Sequence, residues 1–101
     1  FRERFHFARA YADLDSMLDA ERPDAVAVVV PVRFACHVGT RVLSRGIPLL
    51  LEKPPGERVG EVDRLAAAAR ERGRDGRAIP HQVAFNRRYA PLVVRLRRAA
   101  A

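Results

Sequence analysis

The sequence contains one lysine, one cysteine and no tryptophan, and it has no long apolar run. A single cysteine, Cys36, excludes an internal disulfide, and no Cys/His spacing typical of a metal site surrounds it. The longest apolar run, residues 25–32, is far shorter than the roughly 20 residues that span a bilayer. The first residues carry charges without an apolar stretch, so we predict no secretory signal, no membrane partner and a cytoplasmic location.

Composition indicates a single globular domain with a net positive charge. Hydrophobic residues make up 49% of the 101 residues and charged residues 31%, which is a globular rather than a disordered balance. The net charge of +7 is compatible with a nucleic-acid partner. However, the arginines are mixed with acidic residues, and the one dense basic stretch is residues 95–98, preceded by Arg87 and Arg88. We therefore predict no nucleic-acid partner and keep nucleic-acid binding as an alternative.

The one lysine, Lys53, occupies an informative position. It follows the apolar residues 49–51 and precedes two prolines, Pro54 and Pro55, whereas the other basic residues are all arginines. Arginine stays charged at any working pH, but a desolvated lysine can lose several units from a pKa of about 10.4 and exchange protons. The prolines fix the backbone after the lysine. A surface lysine in a salt bridge is the structural alternative to a chemical role.

Hydrophobic periodicity predicts alternating strands and helices with short connections. The predicted strands are residues 8–11, 24–30, 48–51 and 79–85. The predicted helices are residues 1–7 (the end of a helix), the segment from the N-cap Asp13 to Pro23, residues 34–45 closed by Gly46, residues 59–72 closed by Gly73, and a segment beginning at Pro91. A loop is predicted over residues 72–77. This alternation is typical of right-handed βαβ units in an α/β protein with a parallel sheet.

Two strand ends in this pattern are candidates for a binding site. The continuous apolar run 24–30 predicts a strand buried on both faces, as parallel sheets usually require. Ligands of such sheets bind beyond the carboxyl ends of the strands. The loop after Val30 and the segment Glu52–Lys53–Pro54 follow successive strands, so we expect them to lie side by side at one edge of the sheet.

Four segments in order resemble the Gfo/Idh/MocA family of NAD(P)-dependent oxidoreductases. They are residues 11–13, 24–31, 46–56 with Glu-Lys-Pro, and 85–91 with Asn-Arg-Arg-Tyr-Ala-Pro. The resemblance implies an incomplete Rossmann-like parallel sheet with covering helices over residues 1–85, and a crossover into a catalytic domain over residues 86–101. It also implies hydride transfer between NAD or NADP and a sugar, a polyol or a related hydroxy compound. The full-length protein is expected to be a homo-oligomer.

The resemblance also assigns roles to individual residues. It implies that Lys53 is catalytic, positioning the substrate hydroxyl and assisting proton transfer. It implies that Pro31, Glu52, Pro54 and Arg88 lie on the cofactor side. Whether Arg87 or Arg88 approaches the cofactor or the substrate stays open. Asn86 has two interpretations, a substrate contact or a polar hinge between domains.

The chain also departs from the family pattern. These 101 residues contain neither the glycine-rich turn that cradles a pyrophosphate nor the downstream aspartate and histidine of the family's catalytic group. We therefore predict that the chain is the middle of a longer protein. The alternative hypothesis is a non-catalytic, truncated Rossmann-like module for binding or dimerisation.

Overall fold

A computed structural model describes residues 2–71 and 76–100, which form an α/β fold. In chain order the elements are α1 (Leu14–Glu21), β1 (Val26–Val28), α2 (Val32–Ser44), β2 (Leu49–Leu51), α3 (Val59–Arg70), β3 (His81–Val83), a 3-10 helix (Asn86–Tyr89) and α4 (Pro91–Ala99). The strands form one parallel sheet in the order β1-β2-β3. The predicted α/β class with a parallel sheet and covering helices is confirmed.

The core of the described chain lies on one side of this sheet. Helices α2 and α3 pack against each other, and α2 packs on β1 and β2. The buried cluster joins α1, α2, α3 and the strands through the side chains of Leu18, Val28, Ala35, Val42, Leu43, Ile47, Leu49, Leu51, Leu65, Ala68, Ala69 and Ile79. Both crossovers advance in the same direction along the sheet, and right-handed crossovers then place α2 and α3 on the same face.

The opposite face of the sheet is exposed in the described chain. Val29 is 78% exposed and Leu50 is 48% exposed, and Ala27, the register partner of Leu50 on β1, is exposed as well. The prediction that residues 24–30 are buried on both faces is therefore wrong for the part of the chain that the structure describes. The apolar run gave the strand correctly but could not show on how many sides helices cover it.

Helix α1 is joined to α2 by ion pairs. Asp15 accepts hydrogen bonds from both Arg41 and Arg45, the second at 3.3 Å, and Arg45 also pairs with Asp19. These carboxylates lie on one helix and the guanidinium groups on the other, so they fix α1 alongside α2. The arginines of this surface are thus largely neutralised by neighbouring acids.

The predicted helix boundaries are largely confirmed. Asp13 is the N-cap of α1, and its carboxylate accepts a hydrogen bond of 2.9 Å from the Ser16 N–H. Gly46 follows α2 with a φ of 70°, a left-handed conformation that glycine adopts without steric cost. Pro91 is the first residue of α4, where its missing N–H leaves no helical bond unmade.

Other local predictions are wrong. Residues 2–6 form turns rather than the end of a helix, and residues 8–11 form no strand. This segment is almost entirely exposed, so it buries too little apolar surface to stabilise regular structure. The strands are three residues long because β1 and β3 both pair with the short β2. The predicted loop and helix end at residues 72–75 lie outside the described residues.

Candidate functional site at the carboxyl edge of the sheet

The carboxyl ends of the three strands are held together by backbone hydrogen bonds. The Glu52 N–H donates to the Val28 carbonyl at 2.9 Å, and the Ala84 N–H donates to the Leu51 carbonyl at 2.9 Å. Each bond extends the parallel ladder by one step beyond its last paired residues. The loops that leave the strands therefore begin side by side, and the prediction that the first two share one edge of the sheet is confirmed.

A cleft opens at this edge between the loop after β2 and the segment after β3. It has a volume of about 620 Å³ and is lined by Lys53, Ala84, Phe85, Asn86, Arg87 and Arg88. We call it the carboxyl-edge cleft. Its lining contains three basic side chains and no acidic one. Volumes of about 300–1,000 Å³ are usual for sites that take small molecules.

Lys53 lies on this edge, exposed, two residues after the end of β2. The peptide bond between Lys53 and Pro54 is cis. Parallel β2 thus delivers the ammonium group to the side of the sheet on which the fold class binds ligands. The structure places Lys53 in a cleft with the 85–88 segment, a neighbourhood that spacing along the sequence could not show.

The remaining predicted site residues are spread along the same edge. Pro31 is the N-cap residue of α2 and its carbonyl accepts the Phe34 N–H at 2.8 Å. Glu52 is half-buried between β2 and Lys53, and Pro54 is exposed. Arg88 lines the cleft, with its guanidinium carbon 6.0 Å from the centre of the Tyr89 ring. Their placement at one edge is observed, while their roles toward a cofactor stay predictions.

The cysteine and the histidines take no part in this cleft. Cys36 is buried on α2, and its thiol donates to the Glu61 carbonyl at 3.1 Å, which links α2 to α3. His37 is exposed on α2, and the His81 Nδ1 lies 2.8 Å from the Ile79 carbonyl oxygen. Within residues 2–71 and 76–100, no three His, Cys, Asp or Glu side chains are grouped to hold a metal ion.

Two lining residues were not assigned a site role from the sequence. Ala84 and Phe85 line the cleft together with Lys53. Phe85 is 52% exposed, so the cleft has an apolar surface beside its charges. The signal available in the sequence was the end of an apolar strand next to Asn86-Arg87-Arg88. The structure also places Asn86 in the lining of the cleft, and its role as a ligand contact or as a hinge stays a prediction.

The edge fits one end of a nicotinamide dinucleotide. The first turn of α2 has no side-chain cap, and of its N–H groups that of Phe34 is bonded to the Pro31 carbonyl. A glutamate here can accept hydrogen bonds from ribose hydroxyls, and the cleft has room for a ring beside Lys53. The sequence contains no Gly-x-Gly turn, so a pyrophosphate cradle is not among these 101 residues.

A comparison with known protein families gives a match over most of the chain. The family model of GFO_IDH_MocA, described as an oxidoreductase family with an NAD-binding Rossmann fold, matches residues 1–76. The matched region contains α1, β1, α2, β2 and α3, and therefore Pro31, Glu52, Lys53 and Pro54. The wall of the cleft formed by residues 84–88 lies beyond the match.

Proposed function

This chain belongs to the GFO_IDH_MocA family of oxidoreductases with an NAD-binding Rossmann fold, and from that premise we propose that it acts in hydride transfer between NAD(P) and a sugar, a polyol or a related hydroxy compound. The observation that carries the proposal is the position of Lys53. The single lysine of the chain lies at the carboxyl edge of the parallel sheet and lines a 620 Å³ cleft.

In this proposal Lys53 orients the substrate hydroxyl and transfers its proton. A bound nicotinamide supplies the hydride exchange itself, and the protein supplies alignment and proton transfer. As an ammonium group, the Lys53 Nζ donates hydrogen bonds to the hydroxyl oxygen and orients it. In its neutral form the same nitrogen accepts the hydroxyl proton when the carbinol carbon is oxidised, and it returns that proton in the reverse direction.

The other edge residues hold the cofactor in this proposal. Glu52 accepts hydrogen bonds from ribose hydroxyls, and Pro31 and Pro54 provide rigid apolar surface on either side. Arg88 contributes positive charge from the far wall of the cleft. The proposed contacts rest on the placement of these four residues along one edge and on the family to which the chain belongs.

The test compares Lys53→Ala and Lys53→Arg with the unchanged protein, using NAD and NADP against a panel of sugars and polyols. Loss of a proton-transfer group lowers turnover by roughly 10²–10⁴-fold. We expect that loss for Lys53→Ala and also for Lys53→Arg, because arginine keeps the charge but does not give up a proton. Cofactor Kd, measured by fluorescence titration, is expected to stay within about threefold, since the lysine acts on the substrate.

Arg64→Ala on α3 is the matched control, since it removes an exposed cation outside the cleft and is expected to leave turnover unchanged. Unchanged turnover in Lys53→Ala would remove the lysine from the catalytic mechanism. A protein that neither binds NAD(P) nor turns over any substrate would contradict the oxidoreductase proposal as a whole.

The exposed sheet face supports a second candidate function, a non-catalytic module for binding or dimerisation. Val29 and Leu50 on that face are exposed, and apolar strand surface of this kind favours association. This candidate predicts a folded protein that self-associates in analytical ultracentrifugation and does not bind NAD(P). Binding of NAD(P) by a monomer would exclude it.

A further inference from the structure

We propose that the carboxyl-edge cleft recognises a negatively charged group on the substrate, with Arg87 as its main ligand. The inference rests on the proposed oxidoreductase function and narrows the substrate class. The substrate is then a hydroxy compound that carries a carboxylate or a phosphate, such as a sugar acid or a sugar phosphate, rather than a neutral polyol.

The distribution of charge along the chain is the first support. All 12 Asp and Glu residues lie before residue 76, whereas six arginines lie after it. The segment that supplies one wall of the cleft is therefore basic and has no acidic neighbour in sequence. The surplus of positive charge in the whole protein lies after residue 76, and two of those six arginines, Arg87 and Arg88, line the cleft with Lys53.

The pairing of the arginines is the second support. Around α1 three arginines are matched with acids: Arg9 with Glu21, Arg41 with Asp15, and Arg45 with Asp15 and Asp19. In the cleft, neither Lys53 nor Arg87 forms an ion pair with any residue that the structure describes. Arg88 is engaged with the Tyr89 ring. Arg87 is thus the arginine of this cleft whose guanidinium has no partner within the described chain.

The chemistry of these groups selects the ligand. A guanidinium presents parallel N–H donors that match two oxygens of a carboxylate or phosphate, and an ammonium adds a point charge beside it. A neutral hydroxyl group carries no charge with which the guanidinium could form an ion pair. An anion entering the cleft instead exchanges part of its hydration shell for the Arg87 guanidinium, which has no ion-pair partner within the described chain, while Lys53 contacts the substrate hydroxyl. Phe85 and Asn86 then contact the uncharged part of the substrate.

The experiment measures oxidation of three sugars that differ in one group: glucose, glucuronate and glucose 6-phosphate. We expect kcat/KM at least about tenfold higher for one of the two charged sugars than for glucose, since hydrogen bonds to charged groups are the stronger ones. The better of the two identifies carboxylate or phosphate as the group recognised. Arg87→Gln is expected to remove roughly a tenfold to hundredfold preference for the charged sugar over glucose, chiefly through the KM of the charged sugar, and to leave the Kd of NAD(P) unchanged.

Arg64→Gln on α3 is the control, because it removes the same charge away from the cleft and is expected to change none of these values. Binding of glucuronate and glucose 6-phosphate is measured in parallel by NMR titration, which does not require turnover. Anion binding that is lost in Arg87→Gln but kept in Arg64→Gln supports the inference even where turnover is too slow to measure.

Three results would overturn the inference. The first is equal use and equal binding of glucose and both charged sugars. The second is a change in the Kd of NAD(P) in Arg87→Gln with substrate KM unchanged, because the anion would then belong to the cofactor. The third is DNA binding with a steep salt dependence that Arg87→Gln weakens, which would assign these cations to a polyanion. The proposed function fails separately, through loss of NAD(P) binding and turnover in the unchanged protein.

Discussion

Asp13, the residue before α1, shows how a single side chain fixes the start of a helix. Its carboxylate accepts hydrogen bonds from the Ser16 hydroxyl at 2.6 Å and from the Ser16 N–H at 2.9 Å. Both hydrogen bonds hold the pKa of the Asp13 carboxyl below its ordinary value, and the bond from the hydroxyl has the larger effect. The ionised carboxylate is therefore favoured by folding.

The lowered pKa predicts a pH dependence of stability. A carboxyl whose pKa is lower in the folded chain stabilises the fold fully above its unfolded pKa of about 3.9, and this contribution is lost as the pH falls through the folded pKa. Asp13→Asn keeps an N-cap acceptor but does not titrate. We expect the urea midpoint of the unchanged protein to approach that of Asp13→Asn as the pH falls from about 5 to about 2.

The difference in urea midpoint between the unchanged protein and Asp13→Asn reports on Asp13 alone, because Glu21 is present in both proteins and its contribution cancels. The pKa of Glu21 is also lowered, first by the hydrogen bond from the Tyr11 hydroxyl and then by Arg9. A constant difference between the two midpoints over this pH range would show that Asp13 does not stabilise the helix through its charge.

The packing of α2 against α3 and β2 depends on a glycine. A Cβ atom built on Gly39 would lie 2.9 Å from the Leu65 Cδ1 and 3.4 Å from the Leu49 Cδ2. Leu65 and Leu49 are both buried in the core, so neither can move freely. Gly39 thus permits the close approach of the two helices over the sheet. Gly60 on α3 has nothing within 4 Å of a built Cβ.

This contrast predicts opposite effects for the same substitution. Alanine in place of an exposed helical glycine stabilises by up to about 1 kcal/mol, so we expect Gly60→Ala to raise the free energy of unfolding. Overpacking of a core costs about 1–3 kcal/mol. We therefore expect the free energy of unfolding of Gly39→Ala to be lower than that of Gly60→Ala by about that amount. Urea unfolding measures the free energy of unfolding of both variants, provided that the m-value stays the same as in the unchanged protein. Equal stabilisation by the two alanines would show that Leu65 yields without cost.

In the described chain, helices cover one face of the sheet and leave the other face exposed. Its radius of gyration is 15.8 Å, above the value of about 13 Å typical of a compact domain of 100 residues. Residues 2–10 are exposed and α4 contributes no buried residue. The described chain thus keeps a small core with peripheral segments that are not packed into it. Within the described residues, no helix is both long and apolar enough to cross a membrane.

Adjacent leucines of β2 test this asymmetry. Leu51 is 1% exposed on the helix-covered face and Leu50 is 48% exposed on the other. Leu51→Ala is expected to lower the free energy of unfolding by about 2–5 kcal/mol through the cavity it leaves. Leu50→Ala is expected to cost about 1 kcal/mol or less, because half of its side chain already meets solvent. Equally large losses would show that a partner covers the open face in solution.

Local chemistry explains which parts of the fold could be predicted. The apolar runs 24–30 and 48–51 predict that strands exist there, and Asp13, Gly46 and Pro91 mark where helices begin or end; these predictions hold. Failures occur where tertiary packing decides. Residues 2–11 carry aromatic side chains that suggest regular structure, yet the segment is almost entirely exposed. The lengths of the strands were overestimated because pairing with β2 sets them.

The sequence by itself determined the alternation of strands and helices, the family to which the chain belongs, and the position of Lys53 after a parallel strand. These follow from hydrophobic periodicity, from turn chemistry and from motifs contiguous along the chain. Only the tertiary structure decided that one face of the sheet is open and that Lys53, Arg87 and Arg88 share a cleft. The handedness of the crossovers and the register of the three strands bring residues more than 30 positions apart to one edge of the sheet. Local sequence patterns carry no information about contacts at such a distance along the chain.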